Sequence, residues 1–206
     1  PITESLTVTV GARHASIEND IFASTTFLGV SLPPGSTLED DANAGELGLV
    51  WQINDQWRVF ARGEANYRFP NADEFSGIAN FNVFPFPGPL PTPTTQTGNS
   101  IDLGLEWRGP DANAKLLLYR LSLDDEIAFE PNSGQNFNVG DSRRMGLVAE
   151  AGLAPLPGLR INASYSYIDA EMTSGQFDRA DITFVATHSG RVNAQYQFTD
   201  GFSGYL

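Results

Sequence analysis

Cysteine is missing from all 206 residues, which excludes disulfide frameworks and thiolate-based metal or redox centres. No run of 18 or more apolar residues occurs, so no segment can cross a bilayer as a helix. That absence leaves strand-built membrane proteins untouched, because their strands are apolar on one face only. Cations are scarce: Lys and Arg total 12 against 25 Asp and Glu, a net charge of −13. No nucleic-acid partner is therefore expected, since phosphate neutralisation requires clustered Lys and Arg. The two histidines, His14 and His188, fall in different hairpins, and Ser189 beside His188 makes no oriented nucleophile–base pair. No catalytic residue, metal ligand set or cofactor is expected, and the chain is not expected to be an enzyme. A signal-peptide pattern is lacking too. The chain opens at Pro1 and stops at Leu206 inside a strand pattern, so a segment of a longer protein is expected.

What the sequence has is alternation. In Trp57–Phe69 the odd positions carry Trp57, Val59, Ala61, Gly63, Ala65, Tyr67 and Phe69, and the even ones Arg58, Phe60, Arg62, Glu64, Asn66 and Arg68. Side chains alternate faces along a strand, so one face is apolar with aromatics at both ends and the other is charged. At about 3.3 Å per residue the segment reaches roughly 43 Å, enough to cross a bilayer core at a tilt of about 45°.

The same pattern recurs along the chain. Strands are expected at Leu6–Arg13, Glu46–Asn54, Trp57–Phe69, Ile101–Arg108, Leu117–Glu126, Arg144–Leu153, Leu159–Tyr167 and Arg191–Phe198, with a ninth beginning at Phe202. In Leu117–Glu126, Leu117, Tyr119, Leu121 and Leu123 are assigned to the apolar face and Arg120, Ser122 and Asp124 to the polar one, although Leu116 and Leu118 blur its start. Tight turns fall near residues 55, 111, 156 and 200, and longer loops near 31, 84, 132 and 177. Sorting of loop length by side is the habit of outer-membrane barrels, with short periplasmic turns and long extracellular loops. The expected fold is all-β: long antiparallel up-and-down strands of a transmembrane β-barrel, about eight to nine strands of a larger barrel. A soluble β-sandwich is the alternative that each strand alone leaves open.

Several segments resemble one family. In Asn54–Phe75 a turn with Asp55 leads into an arm ending Tyr67-Arg68-Phe69-Pro70-Asn71-Ala72-Asp73-Glu74-Phe75. Ile101-Asp102-Leu103-Gly104-Leu105-Glu106 is followed by Asp125-Glu126-Ile127, and Val139–Ala151 carries its acid at Glu150. Pro157–Glu171 contains Ala163-Ser164-Tyr165-Ser166-Tyr167-Ile168-Asp169-Ala170-Glu171, and His188-Ser189-Gly190-Arg191 opens a late strand after Ala186, where proline is usual. In order and spacing these resemble the barrel of TonB-dependent outer-membrane receptors. The resemblance implies that residues 1–206 are a partial barrel domain, with the plug domain and last strands absent. It also implies active uptake of a large scarce nutrient across the bacterial outer membrane, a ferric siderophore foremost. The partners implied are outer-membrane lipid and lipopolysaccharide, a ferric chelate, and the TonB complex through the missing plug. A passive porin, or a small complete eight-stranded barrel, is the alternative function.

Candidate binding residues lie at the expected extracellular side. Phe81, Phe84 and Phe86 stand among Pro85, Pro87, Pro89 and Pro91 in the longest loop, where aromatics offer contact area at low entropic cost. The competing reading is a self-packed loop over the barrel mouth. Arg143 and Arg144 follow the Asn132–Asn138 loop, where guanidinium groups could hold an anionic chelate, pair with Asp141, or meet lipopolysaccharide phosphate. Glu39-Asp40-Asp41 is read as part of a solvated loop from Asn19 to Asn43 rather than as a cation site. Asn162-Ala163-Ser164 matches a glycosylation sequon but sits mid-strand.

Overall fold

The computed structural model describes residues 5–21, 26–27, 30–31, 36–71, 74, 93–130, 135–199 and 202–205. Among them the strands in chain order are β1 (Leu6–Ile21), β2 (Thr26–Phe27), β3 (Val30–Ser31), β4 (Ser36–Gln52), β5 (Trp57–Arg68), β6 (Gln96–Arg108), β7 (Ala112–Asp124), β8 (Ile127–Glu130), β9 (Gln135–Asn138), β10 (Ser142–Leu156), β11 (Leu159–Met172), β12 (His188–Thr199) and β13 (Phe202–Tyr205). Nine of them make one antiparallel up-and-down sheet, ordered β1-β4-β5-β6-β7-β10-β11-β12-β13. The pairs β2–β3 and β8–β9 are separate small hairpins. Substantial packing runs only between ladder neighbours, so the sheet is a single layer.

The register settles which residues share a face, because residues opposite each other in an antiparallel pair point the same way. One row reads Val8–Leu49–Ala61–Leu103–Leu118–Leu147–Tyr167, and the next Val10–Leu47–Gly63–Ile101–Arg120–Met145–Asp169. This apolar face is also the open one: Ile101, Leu103 and Leu118 are 57%, 51% and 47% exposed. The opposite face carries the row Arg58–Glu106–Lys115–Glu150, which alternates in sign across four strands. Arg58 donates to Glu106 at 2.6 Å, and Lys115 lies 4.0 Å from Glu150. Arg62 pairs with Glu46 and Glu64 at 2.7 and 2.8 Å. Gly104 sits on this polar face under the Phe60 ring, which a Cβ there would overlap. A water-soluble sheet would place its charges on the open face and its leucines on the covered one. Here the arrangement is inverted, as lipid requires.

The tight turns step along the strands. In the row Trp57–Trp107–Ala114–Ala151–Ala163–Val192, Trp57 itself opens β5. Arg108 ends β6 one residue beyond Trp107, Leu156 ends β10 five beyond Ala151, and Thr199 ends β12 seven beyond Val192. With strands about 4.8 Å apart and about 3.3 Å per residue, that drift is a tilt of roughly 40°, inside the range of barrels. It brings Trp51, Trp57, Trp107, Tyr196 and Phe198 close to the turn level, with the Trp57 and Trp107 rings 6.4 Å apart. Tyr165, Tyr167 and His188 lie roughly 20 Å higher at that tilt. There the Tyr165 hydroxyl meets His188 Nδ1 at 2.8 Å. Two aromatic girdles bracketing an apolar band are what membrane interfaces select.

Three expectations change. The loop from Asn19 to Asn43 is largely strand: β1 and β4 stay paired from Leu6–Trp51 to Ile21–Ser36, so Glu39, Asp40 and Asp41 are ladder residues opposite Glu18, Ile17 and Ser16. This hairpin rises past the apolar band, where both faces are wet and hydropathy no longer alternates. The loop near residue 132 carries the unexpected hairpin β8–β9. The third change is a reversal of β7. Its faces are set by the turn pair Arg108–Asn113, which puts Leu116, Leu118, Arg120 and Ser122 on the apolar face and Leu117, Tyr119, Leu121 and Leu123 on the polar one. A triple leucine run has no parity of its own, so only the pairing decides it.

Two substitutions check that phase. In the barrel folded into a bilayer, Leu118→Arg costs about 2–4 kcal/mol of unfolding free energy, whereas Leu117→Arg on the polar face costs markedly less. Chemical denaturation gives both numbers, and the opposite ranking would put the register one residue off.

Candidate functional site

Above the apolar band, at the ends of the strands that feed the long loops, the chain builds its one buried cluster among the described residues. Ile127, Val139, Ala170, Met172, Ser142 and Pro70 are buried there. The arm of β5 starts it. Arg68 places Nη1 on both Glu74 oxygens, at 2.9 and 2.7 Å, and Nη2 on the Ile127 carbonyl at 3.3 Å. Asn71 and Glu74 cap each other: the Glu74 N–H donates to Asn71 Oδ1 and the Asn71 N–H to Glu74 Oε2, both at 3.0 Å. This is the reciprocal logic of a capping box. The Arg-x-Pro-Asn motif therefore fastens the exit of β5 to the start of β8.

The return of the longest loop is fastened to the same hairpin. Asn138 Oδ1 accepts from the Thr94 N–H at 2.8 Å, and its Nδ2 donates to the Asp125 carbonyl at 2.6 Å. Gln96 Oε1 accepts from the Ile127 N–H at 3.0 Å. Asp125 holds φ 54°, a left-handed conformation that Asp tolerates, and its N–H donates to Asp141. Gly140, at φ 119°, lies so close to Ser174 that a Cβ would stand 2.6 Å from the Ser174 carbonyl oxygen. Only glycine fits that approach.

Adjacent residues on a strand face opposite ways, so Arg143 and Arg144 do not act together. Arg144 is on the polar face, bound to Glu126 at 2.6 and 3.2 Å and to Ser142 Oγ at 2.9 Å, while the Ser142 hydroxyl donates to Glu126. Arg143 is on the apolar-face side, paired with Glu171. Neither pairs with Asp141. Phe81, Phe84 and Phe86 lie outside the described residues. Asp40 takes a hydrogen bond from Thr95, tying β4 to the same mouth. No group of three or more His, Asp or Glu is placed to hold a metal among the described residues. His188 and Ser189 point to opposite faces, Ser189 meeting Ser166 at 2.7 Å, so they form no dyad. Glu126, Ser142, Asn138 and Gln96 were not legible as site residues. The available signals were the Asn138-x-Gly140 pair and the acid at Glu74.

Comparison with known proteins places this architecture. The family model described as TonB dependent receptor-like, beta-barrel matches residues 1–206. The ferric yersiniabactin uptake receptor FyuA of Yersinia pestis is 16% identical, with a TM-score of 0.72, over 98% of this chain and 30% of that one. The iron transporter FrpB of Neisseria meningitidis is 16% identical, with a TM-score of 0.69, over 96% and 29%. The copper transporter OprC is 20% identical, with a TM-score of 0.75, over 95% and 30%. The chain thus spans about 30% of the length of the solved structures it matches.

The mouth makes a testable claim. A double-mutant cycle over Arg144→Met and Glu126→Gln, read by denaturation of the folded receptor, returns a coupling of about 1–2 kcal/mol. A value near zero would remove this pair from the stability of the mouth. With the inverted faces, the barrel tilt and a family match across all of its residues, the chain belongs to the TonB-dependent receptor β-barrel family and is part of a β-barrel of the bacterial outer membrane.

Proposed function

We propose that this barrel segment serves a receptor that actively imports a large scarce nutrient, a ferric siderophore foremost, through the outer membrane. The observation that carries the reading is the family match over residues 1–206. The sign-alternating row Arg58–Glu106–Lys115–Glu150 supports it, since a polar lumen suits a wet path or a polar plug. Solved relatives named for ferric yersiniabactin and for iron favour a ferric chelate, and one named for copper keeps the cargo class to metals and their chelates. The loops above the fastened mouth, with Phe81, Phe84 and Phe86, would take the ligand. Arg143 and Arg144 would contribute at its rim only by exchanging Glu171 and Glu126 for an anionic chelate. A plug from outside these residues would close the lumen and be pulled through TonB. No chemical conversion of the cargo belongs to this role.

Deletion of the parent gene tests it. Uptake of the cognate radiolabelled ferric chelate by whole cells is expected to fall to background, and to fall equally in cells that keep the parent gene but lack TonB. Uptake that persists without TonB would favour a passive porin. Loss of copper uptake with ferric uptake intact would move the cargo.

A further inference from the structure

We propose that the cargo is a chelate of positive or zero net charge, and that a negative field over the extracellular end turns anionic chelates away. The inference rests on the import role above and names the charge class of its cargo. The four long connections, residues 14–44, 69–95, 125–141 and 173–187, hold one Lys or Arg between them, Arg179. The first alone carries Glu18, Asp20, Glu39, Asp40 and Asp41. Glu18 stands directly opposite Glu39 in the ladder, and Ser16–Asp41 and Asp20–Thr37 are the next pairs on the same face. Like charges opposed in this way repel. Among the described residues no ion pair reaches any of these five carboxylates.

The cations that do stand at this end are already engaged. Glu74 holds Arg68 at 2.7 Å, Glu126 holds Arg144 at 2.6 Å, Glu171 holds Arg143, and Arg179 lies 3.8 Å from Asp178. Arg13 donates to the Tyr67 hydroxyl at 2.8 Å. Arg120 faces outward, in the row that also holds Asp169. Further down, the row Arg58–Glu106–Lys115–Glu150 keeps both signs, so the imbalance belongs to the extracellular end. An anionic chelate could reach Arg144 only by displacing Glu126, whose side chain is 17% exposed. The freed carboxylate would then stand uncompensated beside the incoming anion. A neutral or cationic chelate needs no such exchange. The carboxylates act by their summed field rather than as ligands to an ion: such fields reach several kT and change encounter rates by about tenfold or more. The field sets the charge class, and loop side chains choose among chelates within it.

The test reads the field with a fluorophore on Thr173→Cys of the full receptor in non-ionic detergent. Thr173 is exposed at the mouth, and its N–H donates to the Asp141 carbonyl. The colliding quenchers are a linear ferric trihydroxamate ending in a free amine, its N-acetyl form and its N-succinyl form, which are cationic, neutral and anionic at similar size. Quenching rates are expected to fall in that order, by about threefold per step at low ionic strength, and to converge in about 0.5 M salt. Asp124→Asn combined with Asp181→Asn is expected to narrow the spread. Equal rates, or fastest quenching by the anion, would overturn the proposal. Electrophoresis of the ferric complex whose uptake depends on the parent gene reads the cargo itself: a cationic or neutral complex supports the proposal, and an anionic one overturns it. Uptake that ignores TonB would overturn the import role, a result the quenching order does not share.

Discussion

Hydrocarbon offers no hydrogen-bond partner, so a backbone that crosses it must satisfy every N–H and C=O from within the protein. The continuous ladder does this for the strands between its edges β1 and β13, and most of the molecule's other features follow from it. A single layer suffices because lipid, not a second sheet, covers the apolar face. The exposed leucines of β6 and β7 are therefore in their intended solvent. At the level of the leucine rows the charges lie on the other face, where neighbouring strands bring Arg58 to Glu106 and Arg62 to Glu46 and Glu64.

The drift of the turns converts this ladder into heights. A flat register would leave Trp107 and Tyr167 only about 13 Å apart, four residues along the strands; the tilt widens that to roughly 20 Å and makes two girdles. The same geometry lifts the ends of β5, β7 and β10 clear of the band. Among the described residues a conventional buried cluster appears only there, with Ile127, Val139, Ala170 and Met172. Above the band the backbone is again free to bend, so left-handed Asp125 and the crowded Gly140 occur at the mouth.

Alternation made the strand class, the strand number and the sorting of turns legible, because lipid on one face and water on the other imposes period two. It failed where that contrast ends. The upper halves of β1 and β4 are wet on both sides and look like loop. In β7 the run Leu116-Leu117-Leu118 is apolar on both faces, so parity came only from the pairing of Arg108 with Asn113, and Arg120 moved outward. At the mouth Arg144 stood out as a candidate, but the carboxylate that holds it, Glu126, lies 18 residues earlier, across a hairpin that no periodicity announced. Asn138 and Gln96 act through backbone groups of distant segments, which leave no mark in local sequence.

The pairing of the arginines bears on how such a mouth discriminates ligands. A free guanidinium attracts any anion, whereas one bound to both oxygens of Glu126 offers an incoming anion only exchange, at the expense of an existing charge-assisted bond. Arg68 is saturated in the same way by Glu74. The mouth thus presents little unspent positive charge and a rigid, internally satisfied floor. A rigid floor lets loops differ in sequence without disturbing the ladder beneath them. On the proposed import role, discrimination among chelates would fall to loop side chains rather than to these paired arginines, and the loop bearing Phe81, Phe84 and Phe86 remains our candidate for ligand contact.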